Sequence, residues 1–369
     1  MPTTPAPMFN ENRLKLGTFS ANCSGGMAVT KVAERWNNDW ANNLDLVKQC
    51  DDAGIEFMLP IARWIGYGGE TDFHGNVLET VTWAAGLAAH SKNIQVFATV
   101  HTAFNHPIVV AKQLATLDQL SNGRIGLNVV AGWNKPEYDA FGMDLPSDHS
   151  DRYAMAQEWF DYVTRLWQED SAFDWEGVFF NGKGVYGRPH PVQDRVPVIN
   201  AAASEEGRAF AMRNADFLFT PVFDFDQARE TVADIKHKSQ SVGRNVQVLT
   251  FCTVVCRPTQ NEADEYLDWY ANENADWEAV DNLMTLQGMH AQSFTKEALA
   301  MFRDRFAAGH GGFPLVGTPD TIADLLETLS GTGIAGTTLS FVDYAKEFPY
   351  FRQEVLPRLE AKGLRQPVG

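Results

Sequence analysis

Residues 124–153 have the sequence RIGLNVVAGWNKPEYDAFGMDLPSDHSDRY, and this stretch is the best guide to the fold. The apolar run from Ile125 to Val130 is rich in β-branched residues and follows the turn signal Ser121-Asn122-Gly123. Such a run predicts a strand buried on both faces, as in a parallel sheet. The segment after Val130 then lies at the carboxyl end of the strand, where α/β proteins place their binding and catalytic groups.

Asn128 is a polar side chain inside this apolar run. A buried amide must form hydrogen bonds, and a ligand with ring carbonyl and N–H groups would satisfy both of its ends. A neighbouring backbone group would satisfy it equally well. The strand alone therefore leaves two interpretations of Asn128 open, a ligand contact and a structural cap.

Predicted strands and helices alternate along the chain. The predicted strands cover residues 14–20, 55–61, 94–100, 125–130, 196–201, 216–221, 246–256 and 336–341. The predicted helices cover residues 43–53, 78–89, 107–120, 152–167, 205–214, 226–242, 318–330 and 350–362. Eight such units favour an α/β fold, the closed (β/α)₈ TIM barrel, over an open doubly wound sheet.

Two segments interrupt this alternation. Residues 173–186 are rich in glycine and aromatics and predict an inserted hairpin, and residues from about 259 to 312 predict a long, polar, helical insertion. No low-complexity linker divides the chain. We therefore expect a single domain over residues 1–369, with residues 1–13 as a loose amino-terminal tail.

The composition argues against several classes of function. A formal net charge of −17 repels nucleic acid and anionic lipid. No run of eighteen uncharged apolar residues predicts a membrane span, and the amino terminus lacks a signal-peptide pattern. We expect a cytoplasmic protein that binds neither nucleic acid nor membrane. The four cysteines contain no C-x-x-C pair, so no metal site and no disulfide framework are predicted.

An ordered set of residues along the chain resembles a known family. It comprises the segment QLATLDQLSNGR at 113–124, Asn128, Gly132-Trp133, Glu137 and Asp151-Arg152-Tyr153. This set is similar to the reduced-flavin-dependent monooxygenases of the bacterial luciferase-like superfamily, in the branch of pyrimidine monooxygenase and dimethyl sulfone monooxygenase. Thinner similarity extends from about Leu14 to about Leu359. The resemblance implies the same barrel and bound FMN.

The resemblance also implies roles for individual residues. Ala62 and Arg63 are expected against the isoalloxazine, Asn128 bonds the flavin, and Glu137 matches a flavin-contacting position. Arg152, Tyr153 and Ser204 match positions around the ribityl-phosphate chain. Pyrimidine-branch members carry Lys where this chain has Arg63, and the two cations differ in shape.

Physical reasoning adds further candidates and alternatives. Arg152 offers a charge-assisted fork for a phosphate, and Ser204 precedes a predicted helix, so it is either a phosphate ligand or only an N-cap. Thr99 lies near the end of the third predicted strand and His101 directly after it, and with Asn128 they are the candidate catalytic residues. His101, or His106 beyond it, is placed to donate a proton or to grip a substrate. Trp64 and Trp133 are expected to line the substrate pocket.

The resemblance implies a two-component monooxygenase that oxygenates, with or without bond cleavage, a small heteroatom-containing organic molecule. Reduced FMN comes from a separate flavin reductase and O₂ is the co-substrate. The candidate substrates are a sulfone, a pyrimidine or other N-heterocycle, and a flavin. Two alternatives share the fold, namely a deazaflavin-dependent hydride-transfer oxidoreductase and a non-enzymatic flavin-binding protein. Neither a dinucleotide fingerprint nor a nucleoside-triphosphate loop is present. We expect a homodimer or homotetramer.

Overall fold

The computed structural model describes residues 6–202, 204–289 and 296–367. Eleven strands are found there: β1 Lys15–Phe19, β2 Phe57–Leu59, β3 Gln95–His101, β4 Ile125–Val130, β5 Phe173–Glu176, β6 Asn181–Val185, β7 Val198–Ala201, β8 Phe217–Phe219, β9 Gln247–Cys256, β10 Phe313–Gly317 and β11 Gly336–Ser340. Eight of them pair in parallel in the order β1-β2-β3-β4-β7-β8-β9-β11, and β11 pairs back to β1. The sheet is therefore closed, and the predicted (β/α)₈ barrel is confirmed.

Helices surround this barrel. They are α1 Trp40–Asp52, α2 Thr80–Ala89, α3 Pro107–Ser121, α4 Lys135–Ala140, α5 His149–Gln168, α6 Glu205–Asn214, α7 Phe225–Ser241, α8 Gln260–Asp268, α9 Trp277–Leu286, α10 Lys296–Gly309, α11 Pro319–Gly331, α12 Tyr344–Glu354 and α13 Leu356–Ala361. A 3₁₀ turn at Pro7–Phe9 and a π-helical turn at Trp269–Glu273 complete the set. Within the described residues, no helix has the length and apolar character needed to cross a bilayer.

Besides small shifts of element ends, three features differ from the sequence-based prediction. The last predicted helix, 350–362, begins earlier and is divided into α12 and α13, because Pro357 has no N–H group with which to continue α12. Strand β10 was not predicted, and it pairs in parallel with the second half of β9. The short helix α4 was also not predicted, since it spans only six residues.

Residues 6–13 contact the base of the barrel, which differs from the loose tail expected there. The Met8 side chain is fully buried, and the buried Glu56 carboxylate accepts hydrogen bonds from the Asn10 and Asn12 side chains. The same carboxylate pairs with Arg365 near the other end of the chain, with 2.6 Å between Nη1 and Oε2. Hydrogen bonds from Asn10 and Asn12 to the buried carboxylate therefore anchor this segment, and Arg365 balances the carboxylate's charge.

Large aromatic side chains fill the lower part of the barrel. Phe57 and Phe97 point into its interior, each opposite a glycine on the neighbouring strand. A Cβ atom at Gly17 would lie 2.6 Å from the Phe57 ring, and one at Gly126 would lie 2.3 Å from the Phe97 ring. The glycines thus make space for the rings, which close the base and leave the open space at the mouth.

The insertion that contains α8, α9 and α10 covers one side of that mouth. Apolar side chains of α9 and α10, including Leu283 and Phe306, pack against Val29, Tyr67 and Phe73 in the loops after β1 and β2. Thr30 and Ala275 form an isolated antiparallel bridge. These contacts bring residues of the insertion to the carboxyl ends of the strands.

Candidate active site

A cavity of about 360 Å³ opens at the carboxyl ends of the barrel strands. The strand side contributes Ala62, Arg63, Thr99, His101 and Asn128 to its lining. The opposite side comes from the insertion and the loops, and includes Trp133, Gln287, Met289, Phe306 and His310. Both the volume and the position are typical of small-molecule and cofactor sites in this fold.

Asn128 lies on the floor of this cavity and is held by the neighbouring strand. Its Nδ2 atom donates to Thr99 Oγ1 at 3.1 Å, and that hydroxyl donates to the Pro60 carbonyl at 2.6 Å. Asn128 is 4% exposed, and its Oδ1 atom is buried with no hydrogen-bond partner among the described residues. Thr99 therefore fixes the orientation of the amide and leaves one acceptor unused.

Arg63 is a buried cation on the cavity wall. Its Nη1 atom donates to Glu137 Oε1 at 3.0 Å, and its guanidinium lies 5.1 Å from the centre of the Tyr67 ring and 5.2 Å from that of Trp133. Glu137 Oε1 also accepts the Trp64 N–H at 2.8 Å. Glu137 is absent from the residues that line the cavity, so it acts on the site through Arg63.

His101 lines the same wall. Burial, together with the positive charge of Arg63, lowers the pKa of His101 to about 3. The imidazole is therefore neutral at pH 7. Its Nδ1 atom lies 3.9 Å from Glu137 Oε2, which is too long for a hydrogen bond. A neutral ring on this wall can exchange hydrogen bonds with a ligand. His106, in contrast, is exposed and its Nδ1 accepts the Ile108 N–H at the start of α3.

The two predicted tryptophans occupy different places. Trp133 lines the main cavity and stacks on Arg63. Trp64 is 48% exposed, contacts Phe141 edge to face at 5.3 Å, and borders a separate cavity of about 50 Å³ behind Arg63 and Thr99. Only Trp133 of this pair therefore contacts the main cavity.

Arg152, Tyr153 and Ser204 form a second group, at the starts of α5 and α6. Arg152 is 8% exposed, its Nη1 donates to the Gly132 carbonyl at 3.2 Å, and its Nε is buried with no partner in the described part of the chain. The Ser204 hydroxyl accepts the Gly207 N–H at 3.1 Å, as an N-cap does. A Cβ atom at Gly207 would lie 2.4 Å from the Tyr153 hydroxyl, so Tyr153 lies directly on this helix end.

The two groups are linked along the chain. Gly132, which Arg152 contacts, precedes the cavity residue Trp133, and the cavity residue Ala202 stands two positions before Ser204. The segments after β4 and β7 thus lead from the cavity to Arg152 at the start of α5 and to the start of α6. A flavin mononucleotide has a hydrogen-bonding ring at one end and a phosphate at the other. The unused acceptor of Asn128 and the unused donor of Arg152 fit those two ends.

Several residues of the site escaped the sequence analysis. His310 and Gln287 reach the cavity from the insertion, and His74 lies behind His310 with 5.9 Å between the ring centres. Asn134 is 2% exposed, and neither end of its amide has a partner within the described residues. No local pattern marks His310 and Gln287, because tertiary contacts of the insertion bring them to the site, whereas Asn134 lies in the segment after β4 and does not line the cavity. Across the same residues, no cluster of His, Cys, Asp and Glu side chains could hold a metal ion.

Comparisons with known proteins agree with this geometry. The profile of the family described as luciferase-like monooxygenase matches residues 14–336. Pyrimidine monooxygenase RutA of Acinetobacter baylyi is 30% identical over 356 residues, 95% of each chain. The FMNH₂-dependent dimethylsulfone monooxygenase of Pseudomonas fluorescens is 30% identical over 370 residues, 96% of this chain and 97% of that protein. The solved structure of riboflavin lyase (RcaE) superposes with a TM-score of 0.85 over 96% of this chain and 93% of that one, at 22% identity.

Proposed function

The chain belongs to the luciferase-like monooxygenase family, and from this premise we propose that it is the oxygenating component of a two-component system. The predicted enzyme class, a monooxygenase, is confirmed by this membership. Reduced FMN delivered by a separate flavin reductase and O₂ are the proposed co-substrates. A small heteroatom-containing organic molecule is the proposed substrate.

The Asn128 amide is the observation that carries this proposal. Its Nδ2 is committed to Thr99, and its buried Oδ1 is an acceptor on the cavity floor with no partner in the described part of the chain. A buried acceptor without a partner costs about 1–3 kcal/mol. An N–H group of a flavin ring is the kind of donor that would satisfy it.

Bound reduced FMN supplies the electrons with which O₂ is activated. The chain's own residues position the reactants and keep the site dry. Phe19, Phe219, Phe223 and Phe251 are among the apolar residues that line the cavity, and they exclude water from it. Arg63, whose charge is balanced by Glu137, and the neutral His101 provide hydrogen-bond donors at the wall.

The phosphate of FMN is proposed to bind at the starts of α5 and α6. Arg152 offers a charge-assisted donor, and the first N–H groups of α6 lie at the positive end of a helix dipole. The Ser204 hydroxyl caps α6 by accepting the Gly207 N–H, and its own O–H group can still donate a hydrogen bond to the phosphate. Tyr153 lies against the same helix end.

The substrate and the assembly are further parts of the proposal. The two relatives above are named for a pyrimidine and for dimethylsulfone, which supports a sulfone, a pyrimidine or other N-heterocycle, or a flavin as the molecule oxygenated, with or without cleavage of a C–S or C–N bond. We also propose a homodimer or a homotetramer, a single domain, and transfer of reduced FMN from the reductase by contact or diffusion.

Two alternative functions can be distinguished from this proposal by experiment. A deazaflavin-dependent hydride-transfer enzyme would consume no O₂, and a non-enzymatic flavin-binding protein would give no product. The monooxygenase names of relatives that are 30% identical over nearly the whole chain favour oxygenation.

The test supplies FMN, NADH and a flavin reductase to the purified protein. Anaerobic titration should show binding of FMNH₂, with weaker binding of NADPH because the chain lacks a dinucleotide loop. On admission of air, sulfones, pyrimidines and N-heterocycles are screened for products that carry an oxygen atom from ¹⁸O₂. Binding of NADPH without FMNH₂, or hydride transfer to a deazaflavin without O₂ uptake, contradicts the proposal.

A further inference from the structure

Two methionines line the cavity in addition to the residues discussed above. Among the described residues of the lining, Met27 and Met289 are the two that carry sulfur. Met27 lies in the loop after β1, and Met289 follows α9. A thioether is soft and polarisable, and methionine is a common target of oxidants. The cavity in which O₂ is proposed to be activated therefore presents two oxidisable side chains.

The backbone on both sides of Met27 is fixed. The Gly26 carbonyl accepts a hydrogen bond from the Ser20 hydroxyl at 3.1 Å. Gly26 has a φ of 58°, a conformation that glycine adopts without strain. On the other side, the Val29 N–H donates to the carbonyl of Ala307 in α10 at 3.0 Å. The loop therefore holds Met27 at the cavity wall.

Met27 is at the same time closed to the solvent. It is 1% exposed, whereas Met301 on α10 is 48% exposed. Met284 is also buried, at 4%, but it does not line the cavity. Access to the oxidant determines which of these thioethers is modified. An oxidant that diffuses through the solvent reaches Met301 first, and one that forms inside the cavity reaches Met27 before either of the others.

Resting on the monooxygenase function proposed above, we propose that Met27 is a self-oxidation site, with Met289 as a second one. When no organic substrate occupies the cavity, the protein transfers an oxygen atom to the Met27 thioether and forms methionine sulfoxide. This transfer inactivates the enzyme. A bound substrate occupies the cavity and takes the oxygen atom instead, so Met27 is modified only in unproductive turnover.

The reaction balances as a monooxygenation. One atom of O₂ forms the new S–O bond, and the sulfur gives up two electrons. The other atom of O₂ leaves as water, with the two electrons of reduced FMN and two protons. The products are oxidised FMN, water and the sulfoxide, so no further oxidant or reductant is needed.

A sulfoxide at this position changes the wall of the cavity. The apolar thioether becomes a polar group whose oxygen is a hydrogen-bond acceptor. The phenylalanine side chains of the lining, such as Phe19 and Phe251, offer no donor to it. The polar oxygen therefore brings water into a site that depends on dryness, and turnover falls.

The test uses the full chain and no organic substrate. One sample receives FMN, NADH, a flavin reductase and catalase under ¹⁸O₂, and a second receives oxidised FMN and hydrogen peroxide in air. Peptide mass spectrometry measures the sulfoxide at each methionine. In the first sample, ¹⁸O at Met27 should exceed that at Met301 by at least about tenfold, and Met284 should stay unlabelled. In the second, Met301 should be oxidised at least about tenfold more than Met27.

A double variant tests whether the sulfoxides cause the inactivation. Leucine has nearly the volume of methionine and no sulfur, so Met27→Leu/Met289→Leu removes the chemistry and keeps the packing. Without substrate, the rate of O₂ uptake by the parent should decline over successive turnovers. Relative to its own starting rate, the double variant should decline at least about threefold more slowly. Met301→Leu is the matched control and should decline as fast as the parent.

The outcomes distinguish this inference from the proposed function. Anaerobic titration first establishes whether reduced FMN binds. If it binds, and Met27 stays unlabelled or is labelled no more than Met301, the inference is overturned and the flavin function stands. An unchanged decline in the double variant also overturns it. Failure of the parent protein to bind reduced FMN defeats the proposed function itself, and this inference with it.

Discussion

Glu137 and Arg63 form an ion pair across 74 positions of sequence, with 3.0 Å between Glu137 Oε1 and Arg63 Nη1 and side chains that are only 1% and 5% exposed. The carboxylate also receives the Trp64 N–H, so it fixes both the side chain and the backbone of the segment after β2. This pair holds the cation on the cavity wall in one position.

Glu137→Gln should destabilise the protein by about 3 kcal/mol, because it leaves the buried Arg63 charge without a counter-charge. The measurement is the free energy of unfolding from urea titration followed by far-UV circular dichroism. The double variant Arg63→Met/Glu137→Gln removes the cation too, and should be more stable than the sum of the two single losses implies. Strict additivity of the single losses would show that the two side chains do not interact energetically.

Asn128→Ala should weaken binding of reduced FMN by about 1–3 kcal/mol, roughly 5- to 150-fold, because it removes the buried acceptor from the cavity floor. Anaerobic titration followed by flavin fluorescence measures the dissociation constant. Asn200→Ala is a matched control. Asn200 is buried on the adjacent strand β7, donates to the Val129 carbonyl at 2.7 Å and does not line the cavity. It should lose stability and keep its flavin affinity, whereas equal effects of the two substitutions would make Asn128 merely structural.

The sequence predicts the barrel and the strand side of the site for the same physical reason. Buried parallel strands are continuous apolar runs that can be recognised in the sequence. In a closed barrel, the carboxyl ends of these strands meet at one mouth. Asn128, Thr99, His101 and Arg63 therefore come together once the strands are assigned. Glu137 contacts Arg63 and lies outside the cavity lining, so its predicted flavin contact stays a prediction.

The insertion side could not be predicted in this way. His310 reaches the cavity only because Phe306 and Leu283 pack on Tyr67 and Phe73, contacts between segments more than two hundred residues apart in sequence. Strand β10 was missed for a related reason. Its five residues include Pro314 and follow Gly311-Gly312, so its local pattern indicates a turn, and only its pairing with β9 makes it a strand.

Arg152→Ala should weaken the binding of FMN much more than the binding of riboflavin, because only FMN carries the phosphate that Arg152 is proposed to bind. Loss of one charge-assisted hydrogen bond corresponds to about 1.5–3 kcal/mol for FMN, with little change for riboflavin. Titration of both flavins into the variant measures the difference. Arg165→Ala is the control, since Arg165 lies on the same helix α5 in an exposed pair with Glu169. Equal losses for FMN and riboflavin would remove Arg152 from the phosphate site.

The stability of the protein should fall as the pH is lowered from about 6.5, because three histidines are held in neutral form, the buried His74 and His101 and the partly buried His310. Burial lowers the pKa of His101 and of His310 to about 3, and burial together with the nearby His310 lowers the pKa of His74 well below its usual value. In the unfolded chain these imidazoles titrate near 6.5. Between about pH 6.5 and 3 the unfolded state therefore binds more protons than the folded state, and stability rises with pH in that window.

The slope is the quantity to measure. Each such histidine contributes up to about 1.4 kcal/mol per pH unit to the slope of the unfolding free energy against pH. This contribution reaches its full size about one unit below pH 6.5 and is absent well above pH 6.5. Urea unfolding at several values between pH 7.5 and 5 avoids most of the carboxylate titration. His310→Asn removes one of the three groups and should reduce the slope by about a third. His237→Asn, on the exposed face of α7, is the control substitution. A flat profile between pH 6.5 and 5 would mean that these histidines become protonated in the folded protein, and would contradict their lowered pKa values.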